Sequence, residues 1–307
     1  MFELGLLNCL ARSGMFEDYQ LAARVQKQAR LAVSVQDRQG RHKVSVHKQV
    51  SPVYGRLEIC QIAGLEEARV LQPEPPPSRR IEVIGASVSN GFGNKGHHGG
   101  LMGAPTTQSM PAPEESDPSQ AFGPTLGRLL QADTRIIAYE GSGILGAALP
   151  HVPRTVELWR QATAGQDHPR HDPSSWIPEV VISQAGANDF AADIPDRQAF
   201  ARAYVDLLKE VRRGYPGAWI IILLMPKSIQ WVDHPCQDMM YTAYAIGMHS
   251  VVTEAHRQGL NNLELLPIIA HEQIQHLGSN SHPNVDTHRM MADELVKIIS
   301  QQLRWAR

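Results

Sequence analysis

Short apolar runs alternate with amphipathic segments over most of the chain, from about residue 79 onward. The clearest amphipathic segment covers 196–213, where apolar residues recur three or four positions apart, and Gly214 and Pro216 follow it as helix-ending residues. Apolar runs typical of buried strands lie at 81–84, 135–138, 180–183, 219–224 and 263–266. Because buried strands that alternate with helices form parallel sheets covered on both faces, the pattern predicts a three-layer α/β sandwich around a five-stranded parallel sheet.

The segment before residue 73 has a different pattern. Residues 43–49 alternate between polar and apolar side chains, and residues 31–35 and 54–62 also suit strands, whereas residues 15–30 suit either a helix or a strand. Consecutive prolines at 75–77 favour a stiff, extended connector. We therefore predict a small, mainly β module over 1–72, a proline-rich linker over 73–78 and the α/β domain over 79–307.

Composition and charge exclude several classes of partner. The 307 residues include 29 Lys and Arg against 31 Asp and Glu, a net charge of -2, so the chain offers no basic field for nucleic acid or an anionic membrane surface. No apolar run approaches the roughly 20 residues that a membrane span needs. The first residues include Glu3 and lack a basic segment, which predicts no signal peptide and makes the cytoplasm the default compartment.

Neither the cysteines nor the histidines show the spacing of metal ligands. Cys9, Cys60 and Cys236 are odd in number and far apart, which predicts neither a disulfide framework nor a zinc site. Adjacent histidines on a loop rarely form a metal site without carboxylate or cysteine partners, and we predict none around His97 and His98.

The most informative feature is a serine directly after the first strand of the α/β domain. The run 81–84 leads into Gly85-Ala86-Ser87, which places a hydroxyl at the carboxyl end of a strand, where open α/β sheets build their sites. A serine in this position becomes a nucleophile if a base and an oxyanion hole converge on it.

Three further features follow later strands in the same way. Gly141 follows the second strand, Asn188 the third, and His282 lies beyond the last. Each alone has a structural explanation, as a tight turn, a helix cap or a surface histidine. Together they suit acyl transfer: His282 would take the proton of Ser87 Oγ, while the Ser87 and Gly141 N–H groups and the Asn188 amide would hold the oxyanion. This chemistry requires no cofactor.

These residues resemble the sequence blocks of SGNH/GDSL hydrolases, and within them the chain is most similar to carbohydrate esterase family 2, deacetylases of xylan and related acetylated sugars. The phrases that support this lie at 75–85, 91–94, 153–155, 176–181 and 282–284. The resemblance implies a flavodoxin-like hydrolase domain after a small β-sandwich, and an acetylated carbohydrate or other small ester as substrate. The N-terminal segment is short for that sandwich, which leaves its completeness open. Related esterases are often secreted, and the sequence leaves the oligomeric state open.

Several positions depart from the family pattern. Ala86 replaces the usual Asp of the first block, and Tyr139 stands where Asn is usual two residues before Gly141. Ser279 occupies the position, three residues before the histidine, where many SGNH enzymes have an orienting Asp, and Ser281 replaces a frequent aromatic residue. The resemblance to family 2 implies a Ser-His dyad in which a backbone carbonyl holds the imidazole.

Three more side chains are candidates for supporting roles. Asp286, four residues after His282, could replace the missing acid, although a carboxylate in the first turn of a helix is more simply explained by the helix dipole. Asp189 suits a structural tie within the turn that holds Asn188. Ser89 is an alternative nucleophile whose position matches no motif.

Other functions remain open at this point. An SGNH scaffold could bind a glycan or a protein partner without hydrolysis, or hydrolyse short-chain esters other than those of carbohydrates. The polar loops at 94–118 and 164–175 favour a small acyl group over a long one. Gly91, Gly93 and Gly96 match the dinucleotide pattern Gly-x-Gly-x-x-Gly, but the pattern begins well beyond the strand and opens no helix.

Overall fold

The computed structural model describes most of the α/β domain and short parts of the N-terminal segment. The described residues are 2–6, 29–33, 52, 61–64, 71–72, 74–96, 113–148, 151–164, 166, 169–191, 193–226, 236–268 and 277–305. The predicted strand at 43–49, most of the ambiguous segment 15–30, His97, His98 and much of the loop 94–118 lie outside them.

The described N-terminal strands form an antiparallel sheet. Strands β1 (Phe2–Leu6), β2 (Ala29–Val33) and β3 (Gln61–Gly64) lie in the order β2-β1-β3. β2 and β3 overlap two predicted strands, whereas β1 was not predicted. Its signal is the alternation of Phe2, Leu4 and Leu6, which is short and lies at the end of the chain. The module boundary at residue 72 stays a prediction.

The α/β domain is built on the parallel sheet that the apolar runs predict. In the described residues its five strands lie in the order β5-β4-β6-β7-β8, and each neighbouring pair is parallel. The strands are β4 (Arg79–Gly85), β5 (Ala132–Ala138), β6 (Val180–Gln184), β7 (Trp219–Leu224) and β8 (Leu263–Pro267). β6 and β7 are buried along their whole length, which explains why β7 is apolar throughout and β6 begins with three apolar residues.

Helices cover both faces of this sheet, which confirms the predicted three-layer α/β fold. Helix α1 packs against α5, and α3 packs against α4. Asp196 caps α3 by accepting a hydrogen bond from Ala199 N at 2.7 Å, and Asn284 caps α5 by accepting one from Thr287 N at 2.9 Å. The helices are α1 (Phe122–Leu130), α2 (Thr155–Trp159), α3 (Arg197–Gly214), α4 (Gln237–Arg257) and α5 (Val285–Leu303).

The strand order positions the functional site. After β5 the chain crosses to the other side of β4, so β4 and β6 flank the point where the sheet reverses its direction of growth. Crevices at such switch points, outside the carboxyl ends of the strands, are the usual ligand sites of doubly wound folds. The last residues of these two strands, Gly85 and Gln184, are register partners. The turns that contain Ser87 and Asn188 therefore begin side by side. No helix in the described part of the chain is long and apolar enough to cross a membrane.

Candidate active site

Ser87 lies in a tight turn that begins directly after β4. The Ser87 carbonyl accepts hydrogen bonds from Asn90 N and Phe92 N, each at 3.1 Å, which closes the turn. Gly85 is required before it, because a Cβ at this position would lie 2.1 Å from Ser89 Oγ. The turn leaves the Ser87 side chain half-buried at the edge of the sheet, where a substrate can reach it.

His282 is in hydrogen-bond contact with Ser87. The Nε2 atom lies 2.8 Å from Ser87 Oγ, and Nδ1 lies 2.8 Å from the backbone carbonyl oxygen of Asn280. Because a carbonyl can only accept, Nδ1 carries the proton and Nε2 is left as the acceptor for the Ser87 hydroxyl. Asn280 and Ser281 adopt φ values of 52° and 56°, and this tight left-handed turn brings the carbonyl round to its own histidine.

Desolvation of the imidazole favours its uncharged form. Desolvation lowers the pKa of His282 below its ordinary value, and the hydrogen bond to the Asn280 carbonyl opposes this only in part. The edge of the Phe92 ring packs against the imidazole, with ring centroids 5.1 Å apart. A neutral histidine whose Nε2 carries no proton is the form that can act as a general base near neutral pH.

The lowered pKa predicts the pH dependence of any reaction that uses His282 as a base. Protonated His282 cannot accept the Ser87 proton, so kcat/KM should fall on the acid side with an apparent pKa below about 6.5. The measurement is kcat/KM for p-nitrophenyl acetate from about pH 4.5 to 8.5, with spontaneous hydrolysis subtracted at each pH. A midpoint at or above about 6.5 would contradict the expected lowering of the His282 pKa by desolvation.

Gly141 lies in the turn after β5, and Asn188 lies in the turn after β6. Gly141 adopts a φ of 73°, which favours glycine. Asn188 Nδ2 donates to the Ser142 carbonyl at 2.8 Å, which uses one of its two N–H groups. Asn188 lines one pocket together with Ser87 and His282. No described residue accepts a hydrogen bond from the Ser87 or Gly141 backbone N–H. Ser87 lines the pocket, whereas Gly141 is buried and is not among the lining residues.

Asp189 ties the turn after β6 to the turn after β5. Its Oδ2 accepts from Ile144 N at 2.8 Å, and its Oδ1 accepts from Leu145 N at 2.7 Å. Burial raises the pKa of Asp189, although these backbone N–H groups favour its charged form. The carboxylate is therefore engaged in holding the Gly141 and Asn188 turns together.

The hydrogen-bond partners of the His282 imidazole in the described structure are Ser87 Oγ and the Asn280 carbonyl, and not the other candidates from the sequence. Ser279 N donates to the Gly93 carbonyl at 2.9 Å, which joins the His282 loop to the Ser87 loop. Asp286 is exposed in the first turn of α5, while His282 Nδ1 is bonded to the Asn280 carbonyl. Ser89 is buried, and its hydroxyl donates to Gln184 Oε1 at 3.0 Å, so it is not placed to act as a nucleophile.

The glycine pattern at 91–96 has a structural explanation in this fold. Gly91 and Gly93 adopt φ values of 63° and 66°, and a Cβ on Gly93 would lie 2.6 Å from the Ser279 carbonyl oxygen. Asn94 follows, and its side chain donates to the Asp117 carbonyl at 2.9 Å and accepts from Asp117 N at 2.8 Å. These residues let the Ser87 and His282 loops approach each other closely.

Sequence reasoning missed two residues of this site. The Asn280 carbonyl has no sequence signal, because any residue carries one, and only the left-handed turn directs it to His282. Gln184 lines the pocket, and its polar side chain at the end of an apolar strand was the available signal. Within the described ranges, no group of three or more His, Cys, Asp or Glu side chains could hold a metal ion.

The chain is similar in sequence to curated proteins that are named as esterases. No family model matches the chain. The cellulase/esterase CelE of Acetivibrio thermocellus is 26% identical over 273 residues, which cover 87% of this chain and 31% of that protein. An acetylxylan esterase / glucomannan deacetylase of Cellvibrio japonicus is 25% identical over 283 residues, which cover 87% of this chain and 68% of that protein. The chain thus spans about a third of the first relative and two thirds of the second.

A solved structure decides the fold. The family two carbohydrate esterase from Clostridium thermocellum, in complex with cellohexaose, superimposes with a TM-score of 0.70 at 25% identity, over 84% of this chain and 74% of that one. The chain has the fold of an SGNH hydrolase and resembles carbohydrate esterase family 2. This confirms the resemblance drawn from the motifs around Ser87, Asn188 and His282. The β-sandwich expected before the SGNH domain stays a prediction.

Proposed function

We propose that this chain is a serine esterase that removes short acyl groups, chiefly acetyl, from carbohydrates. The observation that carries the proposal is the 2.8 Å contact between Ser87 Oγ and His282 Nε2, with Nδ1 held by a carbonyl, at the switch point of an SGNH fold. The names of the curated relatives, cellulase/esterase and acetylxylan esterase / glucomannan deacetylase, support ester hydrolysis on a carbohydrate.

The proposed reaction proceeds through an acyl-enzyme. His282 Nε2 accepts the Ser87 proton as Oγ attacks the ester carbonyl, and the N–H groups of Ser87 and Gly141 and the Asn188 amide stabilise the oxyanion. His282 then donates the proton to the leaving alcohol. A water molecule, deprotonated by His282, attacks the acyl-serine; the bond between the acyl carbon and Oγ breaks, His282 returns the proton to Ser87 Oγ, and the acid is released. The imidazolium that forms in each half-reaction is oriented and stabilised by the Asn280 carbonyl in place of a carboxylate.

The pocket beside Ser87 favours a small acyl group. Apart from Val88 and Pro283, the described lining consists of small or polar residues and the catalytic histidine: Ala86, Ser87, Gln184, Gly186, Ala187, Asn188, Ser281 and His282. A long acyl chain would require a larger apolar surface than these residues supply.

The test of the proposed function is hydrolysis of a graded set of esters. Purified protein should hydrolyse p-nitrophenyl acetate faster than the butyrate, and the octanoate hardly at all, and it should release acetate from acetylated xylan or glucomannan. Hydrolysis of the nitrophenyl esters without acetate release from either polysaccharide would favour a non-carbohydrate ester as substrate. Background rates on every ester by folded protein would favour a scaffold that binds without hydrolysis.

Replacement of Asn188 tests the oxyanion hole. Loss of one such donor should lower kcat for p-nitrophenyl acetate about 10²-fold or more, with a smaller change in KM, because the hydrogen bond strengthens as charge develops. The measurement compares Asn188→Ala with Asn261→Ala, a control in which an exposed asparagine outside the pocket is replaced. The unfolding temperature of both variants is recorded. An unchanged kcat in Asn188→Ala would remove this amide from the oxyanion hole.

A further inference from the structure

Gln184 is a buried amide at the centre of the site. It is the last residue of β6, the register partner of Gly85, and only 3% of its surface is exposed. It lines the pocket that contains Ser87 and His282. The turn that contains Asn188 begins at Gly186, two residues after Gln184. Gln184 is therefore a polar residue of the pocket lining that the protein encloses almost completely.

One end of this amide is fixed by the protein. Ser89, itself 1% exposed, donates its hydroxyl hydrogen to Gln184 Oε1 at 3.0 Å. The absence of a side chain on Gly85 makes room for this pair, because a Cβ there would lie 2.1 Å from Ser89 Oγ and 3.1 Å from Gln184 Oε1. The nucleophile turn therefore contains a second serine whose hydroxyl orients the neighbouring glutamine.

The other end of the amide is available to a ligand. With Oε1 engaged, Nε2 retains two N–H donors, and no described residue accepts a hydrogen bond from it. A donor at the wall of a pocket that has no protein acceptor is usually satisfied by water or by a bound ligand. The ester group is the part of any Ser87 substrate that must enter this pocket, and its oxygens are acceptors.

We propose that Gln184 is a substrate-contacting residue, whose Nε2, oriented by Ser89, donates a hydrogen bond to an oxygen of the ester group bound at Ser87. This inference rests on the proposed esterase function and adds a donor beyond Ser87 N, Gly141 N and Asn188. Because the contact is to the ester group, every acyl ester depends on it, including those without a sugar.

The test uses two variants with different consequences for the Ser89 contact. Gln184→Glu keeps an oxygen for Ser89 and removes both donors, while Gln184→Leu removes all polar contacts at similar volume. Both should lower kcat/KM for p-nitrophenyl acetate about 10- to 100-fold while the protein stays folded. Ser89→Ala keeps the Gln184 Nε2 donor but removes the hydroxyl that orients the amide. It should therefore lower kcat/KM less than Gln184→Glu or Gln184→Leu does. Gln302→Leu, at an exposed position on α5, is the matched control.

The outcomes separate this inference from the proposed function. Wild-type kcat/KM in folded Gln184→Glu or Gln184→Leu would overturn the inference and leave the esterase proposal intact. A loss seen with acetylated xylan but not with p-nitrophenyl acetate would also overturn it, because the contact would then be to the sugar. If wild-type protein shows no hydrolysis that depends on Ser87, the esterase proposal fails and the inference fails with it.

Discussion

Replacing Ser87 with alanine is expected to reduce ester hydrolysis to background, a loss of at least about 10⁴-fold in kcat for p-nitrophenyl acetate. The reason is chemical: the acyl-enzyme cannot form without the Oγ that lies 2.8 Å from His282 Nε2. The loss should appear in kcat rather than KM, because the pocket walls remain. The variant removes one half-exposed hydroxyl, so its unfolding temperature should stay close to that of the wild type.

The control for this variant is a serine outside the site. Ser250 lies half-buried on α4, where its hydroxyl donates to the Ile246 carbonyl at 2.8 Å, and Ser250→Ala should retain wild-type turnover. Substantial hydrolysis by Ser87→Ala, at a rate proportional to enzyme concentration, would show that another group carries the nucleophile.

Replacing His282 with alanine is the second large effect that we expect. Without a base, Ser87 stays protonated at neutral pH, and kcat should fall at least about 10³-fold. His256→Ala, an exposed histidine on α4, is the matched control and should keep wild-type activity. The assay is p-nitrophenyl acetate hydrolysis at a pH where the wild type is on its plateau.

The same assay distinguishes the two ways in which His282 could be oriented. The Asn280 carbonyl accepts from Nδ1 at 2.8 Å, so Asp286→Ala should change kcat less than about 3-fold. A loss in Asp286→Ala comparable to that in His282→Ala would mean that the carboxylate completes a triad during the reaction and that the carbonyl contact is insufficient.

The layered fold could be predicted because its strands are buried on both faces. β7 is a continuous apolar run, β6 begins with three apolar residues, and a helix with one apolar face separates them, so the sequence pattern alone indicates a parallel sheet. β1 could not be predicted with the same ease. Its five residues alternate, but a strand of this length gains its stability from partners that lie more than twenty residues away.

The site could be predicted only where residue type and strand position coincide. Ser87, Gly141 and Asn188 each follow a strand, and parallel strands end at one edge of the sheet, so their proximity follows from topology. The Ser89–Gln184 contact joins positions 95 residues apart, and neither residue belongs to a motif. The left-handed conformations of Asn280 and Ser281 could not be predicted from the sequence either, because neither residue is glycine. Both features depend on tertiary structure.

The most direct test of the central claim is covalent trapping of the nucleophile with diethyl p-nitrophenyl phosphate, followed by peptide mapping. We expect one diethylphosphoryl group per chain, on Ser87, with hydrolysis of p-nitrophenyl acetate lost in proportion to labelling. His282→Ala should label far more slowly, because Ser87 then lacks its base. An inhibited enzyme with the adduct on another residue, or equal labelling of Ser87→Ala, would contradict the assignment of Ser87 as the nucleophile.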